Sequence, residues 1–308
     1  MTTIRLGLVG LGKIARDQHI PAIAATPGIE LVAVASRNAR ADGVSNYTDL
    51  AAMLAGEPEL DAVVLCLPPQ VRYDTAIMAL EAGKHVFLEK PPGATVSEAQ
   101  ALAALASQHG RTLFASWHSR YAAGVPLAKA WVAANAAERV TITWKEDVRH
   151  WHPGQDWIWQ PGGFGVFDPG INALSILTEV MGAAVRLRDA ELQIPSNRQA
   201  PIAARLRMQT ASEVPIVAEF DFRQTGPQTW DIVIEGRGGT LVLSQGGNQL
   251  MIDGAAQGVG VEDEYPGLYR RFVDLVRTGR SDADLAPLQI VADAFLRGRM
   301  QSTDAFHD

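Results

Sequence analysis

Short apolar runs alternate with longer helical patterns along the first 120 residues of the chain. The runs are nearly continuous rather than alternating, which is typical of parallel strands that are covered on both faces. Each run is followed by small apolar residues at helical spacing. The pattern predicts an α/β domain over residues 1–119, with strands at 4–9, 30–36, 60–67, 85–88 and 111–116.

The pattern changes after residue 120, where one helix is followed by several separated strands. Between residues 139 and 148 apolar and polar positions alternate strictly, as in a strand with one buried face. This favours a second, α+β domain over residues 120–308, built on a largely antiparallel open sheet. Helices are expected at 266–278 and 287–300, and only the tail after residue 300 is expected to be disordered.

Composition indicates an ordinary globular protein and excludes two classes of partner. Of the 308 residues 47% are hydrophobic and 20% charged, with a formal net charge of −7. Nucleic-acid binding depends on clustered Lys and Arg, which this acidic chain does not show. No apolar run is long enough for a membrane span, and the first strand starts too early for a signal peptide, so we expect a cytoplasmic protein. The single cysteine, Cys66, lies in an apolar run and is expected to be inert, and the histidines show no metal-ligand spacing.

A glycine-rich turn separates the first strand from the first helix. Gly10 permits the tight turn, Gly12 leaves the backbone open to a pyrophosphate, and small Ala15 lets the helix pack closely on the strand. Unpaired N–H groups at the start of the helix, around Lys13 and Ile14, suit a phosphate. A G-x-G-x-x-A motif between a strand and a helix therefore predicts a dinucleotide-binding Rossmann domain.

The end of the second strand indicates which dinucleotide is favoured. NAD enzymes usually place a carboxylate there to bind the adenosine ribose. This chain has Ser36 and Arg37 instead, and an arginine can pair with a 2′-phosphate. We therefore predict NADP as the preferred cofactor. The alternative is that Arg37 is a solvated turn residue and that NAD binds equally well.

Polar residues also follow the strands at 85–88 and 111–116. Glu89 and Lys90 come directly after the first of these strands, and His118 follows the second. Ligands of open α/β sheets bind outside the carboxyl ends of the strands, so these side chains are candidates for the site. Without that context Lys90 would be an ordinary surface lysine.

Two features of the second domain suit a sugar. Glu146 continues the apolar face of its strand, where a carboxylate is costly unless it gains partners such as sugar hydroxyls; a salt bridge to an internal arginine is the alternative. The loop at 151–159 contains three of the seven tryptophans. An indole face suits the C–H face of a pyranose, so Trp151 and His152 are candidate sugar contacts, with core packing as the alternative.

Asp168 lies at the start of a helix that is predicted to run to residue 181. Because Pro169 follows it, Asp168 could be no more than an N-cap. Asp168 and Asn172 are, however, four residues apart and project together from the first turn. They offer a carboxylate and an amide at one point.

These motifs resemble the Gfo/Idh/MocA family of sugar oxidoreductases. The likeness rests on the early glycine turn, on Glu89-Lys90-Pro91 and on Arg120-Tyr121. It implies a nicotinamide cofactor, and it implies that Lys90 contacts both the nicotinamide ribose and the substrate. Glu89, the residue before Lys90, is a further expected cofactor contact. The family carries D-x-G-x-H where this chain has Asp168 to Asn172, and its Asp and His handle the substrate proton. Here Asn172 replaces the histidine, and an amide cannot act as a base.

Residues 12–21 and 144–176 further resemble the bacterial aldose 1-dehydrogenases of that family, which act on D-galactose and L-arabinose. The resemblance implies oxidation of a small aldopyranose at its anomeric carbon, giving an aldonolactone. This reaction needs a base for the hydroxyl proton and a cation or donor for the developing charge. We assign Asp168 as the base, Lys90 as the cation and Asn172 as the amide that fixes the hydroxyl. Lys90 is the alternative base.

His118, Glu146, Trp151 and His152 are the expected sugar contacts. Two other functions stay open: oxidation at another ring carbon, as in inositol dehydrogenases, and a non-catalytic sensor of a sugar or nucleotide. An exposed face of the second sheet could pair subunits into a homo-oligomer. No metal, membrane or nucleic-acid partner is expected.

Overall fold

The computed structural model describes residues 2–307, which form two compact units. The first unit contains the residues up to 118 together with residues 265–285, and the second contains residues 119–264 together with those from 286 onward. The sequence predicts one continuous segment for each domain. In the structure residues 265–285 belong to the first unit, although they were expected in the second domain. Residues 1 and 308, the outermost positions of the predicted domains, lie outside the described residues.

The strands belong to two sheets, one in each unit. In chain order the strands are β1 (Ile4–Val9), β2 (Ile29–Ala35), β3 (Ser45–Tyr47), β4 (Ala62–Leu65), β5 (His85–Leu88), β6 (Leu113–Ala115), β7 (Ala137–Lys145), β8 (Val185–Pro195), β9 (Ala203–Thr210), β10 (Pro215–Asp221), β11 (Thr229–Gly236), β12 (Gly239–Ser244), β13 (Gln249–Ile252), β14 (Ala255–Ala256) and β15 (Arg299–Thr303).

The helices of more than one turn cover these sheets or join their strands. In chain order the helices are α1 (Ile20–Ala25), α2 (Leu50–Gly56), α3 (Arg72–Glu81), α4 (Val96–Gln108), α5 (Val125–Asn135), α6 (Val148–Trp151), α7 (Phe167–Met181), α8 (Glu264–Thr278) and α9 (Ala286–Arg297). A short π-helical segment, Ala15–His19, leads into α1. No helix in the described part of the chain combines the length and the apolarity that a bilayer crossing requires.

The first sheet confirms the predicted Rossmann architecture. It has six parallel strands in the order β3-β2-β1-β4-β5-β6. Every residue of β4 is fully buried, as its continuous apolar run predicts. The winding direction reverses between β1 and β4, which is where open α/β sheets bind their ligands. The edge strand β3 was not predicted, because its three residues are partly polar and half-exposed and form no apolar run.

Aromatic packing explains why residues 265–285 belong to the first unit. Tyr269 of α8 stacks on Phe87 of β5 with ring centroids 5.1 Å apart. Phe272 packs against the same Phe87 at 5.4 Å and against Phe114 at 6.2 Å. The sequence shows that α8 has an apolar face, but a periodic pattern does not say which of two sheets the helix covers.

The second sheet confirms a mixed, largely antiparallel architecture. Its nine strands run in the order β14-β13-β12-β11-β7-β10-β9-β8-β15. The pairs β7–β10 and β8–β15 are parallel, and the other neighbouring pairs are antiparallel. The expected disorder after residue 300 is wrong for residues 301–303, and the expected helix to residue 300 ends at Arg297, because residues 299–303 form β15 at the edge of this sheet, beside β8.

Candidate active site

The turn after β1 uses its two glycines in different ways. Gly10 has a φ of 94°, and a Cβ at this position would lie 2.9 Å from the carbonyl oxygen of Cys66. The chain itself therefore requires glycine there. A Cβ at Gly12, by contrast, would meet no atom within 4 Å. The space beside Gly12 is open to a ligand.

Four of the predicted cofactor contacts share one cleft of about 690 Å³ in the first unit: Gly10, Gly12, Ser36 and Arg37. This volume lies within the range of roughly 300–1,000 Å³ that is typical of small-molecule sites. The exposed apolar side chains of Val71 and Met78 form part of the wall and offer a surface that a flat base could cover. The open cradle at Gly12 and the cation at Arg37 fit a phosphorylated dinucleotide.

Two other predicted cofactor contacts, Lys13 and Ile14, lie exposed on the turn that opens the first helical segment. Lys13 pairs with Asp17 one turn later. The side chains of Lys13 and Ile14 therefore point to solvent, and it is the backbone of this turn that is available for a phosphate. Their part in cofactor binding stays a prediction.

Gly12→Ala and Gly10→Ala should separate cofactor binding from folding. Gly12→Ala should leave the melting temperature close to that of the wild type, because its methyl group meets open space, yet it should weaken cofactor binding by about 10-fold or more by blocking the close approach of the pyrophosphate. Gly10→Ala should instead lower the melting temperature, because the methyl group collides with the backbone of Cys66. Calorimetric titration with NADP and thermal melts measure both effects. Wild-type affinity in Gly12→Ala would contradict the assigned phosphate site.

The segment that carries Lys90 is held by a buried arginine. Lys90 follows β5, and the Lys90–Pro91 peptide bond is cis. The guanidinium of Arg72, which is 2% exposed, donates hydrogen bonds to the carbonyl oxygens of Glu89 and Pro91. A third bond goes to the carbonyl of Leu67. Arg72 thereby fixes the backbone on both sides of Lys90.

The Glu89 carboxylate lies inside the first unit. Its Oε1 lies 3.2 Å from Nε2 of His19 and accepts a hydrogen bond of 2.8 Å from the hydroxyl of Tyr265. The Nδ1 of His19 lies 2.6 Å from the hydroxyl of Tyr269. The ring of His118 stacks on Tyr265 with centroids 5.3 Å apart. Through Tyr265 the predicted sugar contact His118 is tied to the residue that precedes Lys90.

His19 and Glu89 form a buried ion pair. Burial lowers the pKa of the His19 imidazole, but electrostatic and hydrogen-bond interactions with Cys66 and Glu89 outweigh burial and raise it to about 9. Burial raises the pKa of the Glu89 carboxyl, but the hydrogen bond and the charge of His19 outweigh it and lower the pKa to about 2. Both side chains are therefore charged at neutral pH.

The ion pair should make the stability of the protein depend on pH with a defined sign. Because the pKa of His19 is raised from 6.5 to about 9, its contribution is complete below pH 6.5 and is lost as the pH rises through about 9. Because the pKa of Glu89 is lowered from 4.5 to about 2, its contribution is complete above pH 4.5 and is lost as the pH falls through about 2. The pair contributes most between pH 4.5 and 6.5.

Glu89→Gln should lower the free energy of unfolding by about 3–5 kcal/mol in that window, because it removes one partner of a buried pair. The difference from the wild type should shrink as the pH approaches about 9, where His19 loses its proton. Urea melts of both proteins at about pH 6 and about pH 9 measure the difference. The exposed Glu81→Gln is the matched control. A difference that does not change with pH would contradict the ion pair.

Asp168 belongs to a carboxylate–imidazole cluster in the second unit. The helix α7 begins at Phe167 and its N-cap is Val166, so Asp168 lies in the first turn and is not the N-cap. Its Oδ2 lies 3.6 Å from Nδ1 of His152, and Nε2 of His152 lies 3.0 Å from Oε1 of Glu146. The carboxylates of Asp168 and Glu146 are both buried. The imidazole of His152 thus lies between two buried carboxylates.

Trp230 binds the other oxygen of Glu146 and belongs to a group of three tryptophans. Nε1 of Trp230 donates a hydrogen bond of 2.8 Å to Oε2 of Glu146, so the partners are His152 and Trp230 and not the arginine of the alternative interpretation. Trp230 lies between Trp144, at 5.8 Å, and Trp151, at 4.9 Å between ring centroids. Trp151 is 38% exposed, so this stack presents an aromatic face to solvent. Such a face is suited to the apolar side of a pyranose.

Not every tryptophan of the 151–159 loop belongs to that stack. Trp159 is 4% exposed and packs on Phe222 and Phe306 at 5.7 and 5.8 Å, so it is a core residue. Asn172 lies half-buried one turn after Asp168 on α7. The second unit therefore brings together Glu146, Trp151, His152 and Asp168, and their assigned roles stay predictions.

From the sequence alone Trp230 is a candidate wall of the sugar pocket, with core packing favoured, whereas Arg72 and Tyr265 are not predicted. For Trp230 a signal existed, since it alternates with Ile232 and Ile234 on the inner face of β11 and pairs with Trp144 of β7. For Arg72 and Tyr265 the sequence holds no such signal, because their partners lie on other elements: Arg72 of α3 binds the backbone after β5, and Tyr265 of α8 binds Glu89.

The open face of the second sheet is charged rather than apolar. Lys145 pairs with Glu219 at 3.0 Å, and Arg207 pairs with Asp189 at 2.7 Å. The same face has a shallow cavity of about 180 Å³. Assembly of subunits through this face stays a prediction. Within residues 2–307 no group of three or more His, Cys, Asp or Glu side chains is arranged to hold a metal ion.

The sequence matches known proteins over its whole length. The model of the Gfo/Idh/MocA oxidoreductase family, with an NAD-binding Rossmann fold, matches residues 4–116. Over 308 residues the chain is 46% identical to a galactose 1-dehydrogenase from Pseudomonas fluorescens, and the alignment covers 100% of both chains.

Solved structures of two oxidoreductases are also similar to this chain. The crystal structure of a D-galactose-1-dehydrogenase from Rhizobium etli is similar with a TM-score of 0.95 and 56% identity, covering 100% of this chain and 99% of that one. A 3-ketoreductase from Actinomadura kijaniata in complex with NADP and TDP-benzene is similar with a TM-score of 0.87, covering 98% of this chain and 100% of that one. Its identity is 21%, so this likeness concerns the fold alone.

Proposed function

The chain belongs to the Gfo/Idh/MocA family of oxidoreductases, and on that basis we propose that it oxidises a free aldopyranose at the anomeric carbon to the aldonolactone. The proposed substrates are D-galactose and L-arabinose, which share their ring configuration at carbons 1 to 4. One observation carries the proposal: a buried carboxylate–imidazole cluster lies under an exposed tryptophan face, in a chain similar over its full length to galactose 1-dehydrogenases.

Three residues carry the proposed chemistry. Asp168 lies in the first turn of α7 and accepts the proton of the anomeric hydroxyl, because a carboxylate can act as a base and the amide of Asn172 cannot. Lys90 stabilises the negative charge that develops on that oxygen, as a fixed cation does in a site with little water. Asn172 donates its amide to the hydroxyl and orients it. A bound nicotinamide dinucleotide would supply the acceptor for the hydride of the anomeric carbon.

The sugar is held by the remaining predicted contacts. Trp151 covers the C–H face of the pyranose, with Trp230 behind it. Glu146 and His152 contact hydroxyl groups in the second unit, and His118 contributes a further contact. A carboxylate oxygen can accept more than one hydrogen bond, so the bonds of Glu146 to His152 and Trp230 leave room for a sugar hydroxyl.

The proposed cofactor is NADP in preference to NAD. The support is that Ser36 and Arg37 line the cleft at the end of β2. Neither residue is the carboxylate that would repel a 2′-phosphate at this point. Arg37→Ala should weaken NADP binding by about 10- to 100-fold, the equivalent of one charge-assisted hydrogen bond. NAD binding should change far less. Dissociation constants of both cofactors for the variant and for the exposed Arg280→Ala control measure this, and an equal loss for NAD and NADP would remove Arg37 from the 2′-phosphate site.

A substrate panel tests the reaction itself. Purified protein is mixed with NADP or NAD and with D-galactose, L-arabinose, D-glucose and myo-inositol, and reduced nicotinamide is followed by absorbance. We expect turnover with galactose and arabinose and formation of the lactone. Oxidation of inositol but not of aldoses would favour a different ring carbon. Tight cofactor binding without turnover of any sugar would favour a sensor.

A further inference from the structure

His152 places an imidazole beside Asp168, although position 172 holds asparagine where the family pattern has histidine. The D-x-G-x-H pattern of the family implies an imidazole one turn after Asp168, where this chain has Asn172. The structure instead brings an imidazole to Asp168 from the loop after α6, with Nδ1 of His152 at 3.6 Å from the carboxylate. The two residues are sixteen positions apart in the sequence, so their spacing gives no helical-face relationship.

The second partner of His152 determines which nitrogen carries the hydrogen. An ionised carboxylate only accepts, so the 3.0 Å contact between Nε2 and Oε1 of Glu146 places the hydrogen of a neutral imidazole on Nε2. Nδ1 is then a lone-pair acceptor that faces Asp168. Oε1 of Gln155 lies 3.4 Å from the same Nδ1, and exchanging the oxygen and nitrogen of that amide turns its NH₂ group toward the lone pair. Trp230 fixes Glu146 from the other side.

We propose that His152 relays the substrate proton from Asp168 to solvent and that Glu146 positions its ring. The proposal rests on the proposed aldose oxidation. The O–H bond of the anomeric hydroxyl breaks and its proton forms an O–H bond on Asp168, while the hydrogen on the anomeric carbon leaves with its electron pair to the oxidised nicotinamide dinucleotide. The proton then moves from Asp168 to Nδ1 of His152 and from there to water.

Exposure supports this direction of transfer. The side chains of Asp168 and Glu146 are 5% and 2% exposed, whereas that of His152 is 13% exposed. Asp168 must lose its proton before each new turnover, and its own access to water is small. The ring of His152 is therefore suited to receive the proton and to pass it on.

Kinetics of His152→Gln and His152→Ala test the relay. Glutamine keeps an amide that can bond Glu146 but cannot carry a proton, so kcat should fall by about 10²-fold while KM for the sugar changes by less than about threefold. In His152→Ala, added imidazole should restore part of kcat. The exposed His109→Ala should match the wild type with and without imidazole.

Each outcome distinguishes the relay from its rivals. A raised KM with normal kcat in His152→Gln would make His152 a sugar contact only and would overturn the relay. A low kcat with no imidazole rescue, together with a lowered melting temperature in both variants, would assign a structural role and would also overturn it. If the wild type oxidises no aldose, the proposed function fails first and the relay falls with it.

A measurement without turnover tests the positioning by Glu146. In the free protein the ¹⁵N chemical shifts of His152 should show the hydrogen on Nε2. In Glu146→Gln this preference should be lost and kcat should fall, whereas cofactor affinity should stay within about twofold of the wild type, because Glu146 lies outside the cofactor cleft. A hydrogen on Nδ1 in the wild-type protein would overturn the relay.

Discussion

Asp168→Asn is expected to lower kcat for aldose oxidation by about 10²-fold or more, the usual effect of removing a positioned base. Asparagine has the same size and can still bond a hydroxyl, but it cannot accept the proton. The loss should therefore appear in kcat and much less in KM for the sugar. Initial rates of nicotinamide reduction over a range of sugar concentrations separate the two constants.

Two controls accompany this variant. Asp156→Asn changes the same group at an exposed position on a neighbouring turn and should leave kcat unchanged. A thermal melt of Asp168→Asn shows that the cluster with His152 still folds. Near-normal turnover in Asp168→Asn would remove Asp168 from the role of base and would leave Lys90 as the alternative.

Lys90→Ala is expected to lower kcat by about 10²- to 10³-fold, the usual effect of losing one group that stabilises a developing oxyanion. The backbone should keep its shape, because Arg72 binds the carbonyls of Glu89 and Pro91 and these bonds do not involve the Lys90 side chain. Cofactor affinity should also fall, since Lys90 is predicted to contact the nicotinamide ribose. Steady-state rates and fluorescence titration with NADP measure both effects.

Rescue by a small amine identifies the cation. Added ethylammonium should restore part of the activity of Lys90→Ala and none of the activity of Asp168→Asn. Lys129→Ala removes an exposed lysine that pairs with Glu179, and it should change neither constant. Wild-type kcat in Lys90→Ala would exclude Lys90 from the chemistry.

The sequence was sufficient for the fold class because local patterns carry that information. Continuous apolar runs predicted the buried parallel strands, and strict alternation predicted the buried face of β7 with Val140, Ile142 and Trp144. The glycine turn predicted the cleft, since a strained φ and an open approach are properties of single residues in a short motif.

The same patterns could not assign residues that act at long range. The apolar face of α8 was visible, but only the packing of Tyr269 and Phe272 on Phe87 shows that this helix covers the first sheet. Edge strands such as β3 and β15 were missed because strands with exposed residues need no apolar run. Backbone hydrogen bonds to a sheet neighbour define them, and sequence periodicity does not record those bonds.

By itself, then, the sequence determined the two architectures, the nucleotide turn and the candidate residues Lys90, Glu146 and Asp168, because motif spacing and face alternation are local properties of the chain. The tertiary structure alone decided which side chains are partners. It joined His152 to both Glu146 and Asp168, and it joined Arg72 to the backbone around Lys90. Partners of this kind meet only when different elements of the fold pack together, and burial then makes each polar group depend on the partner it finds.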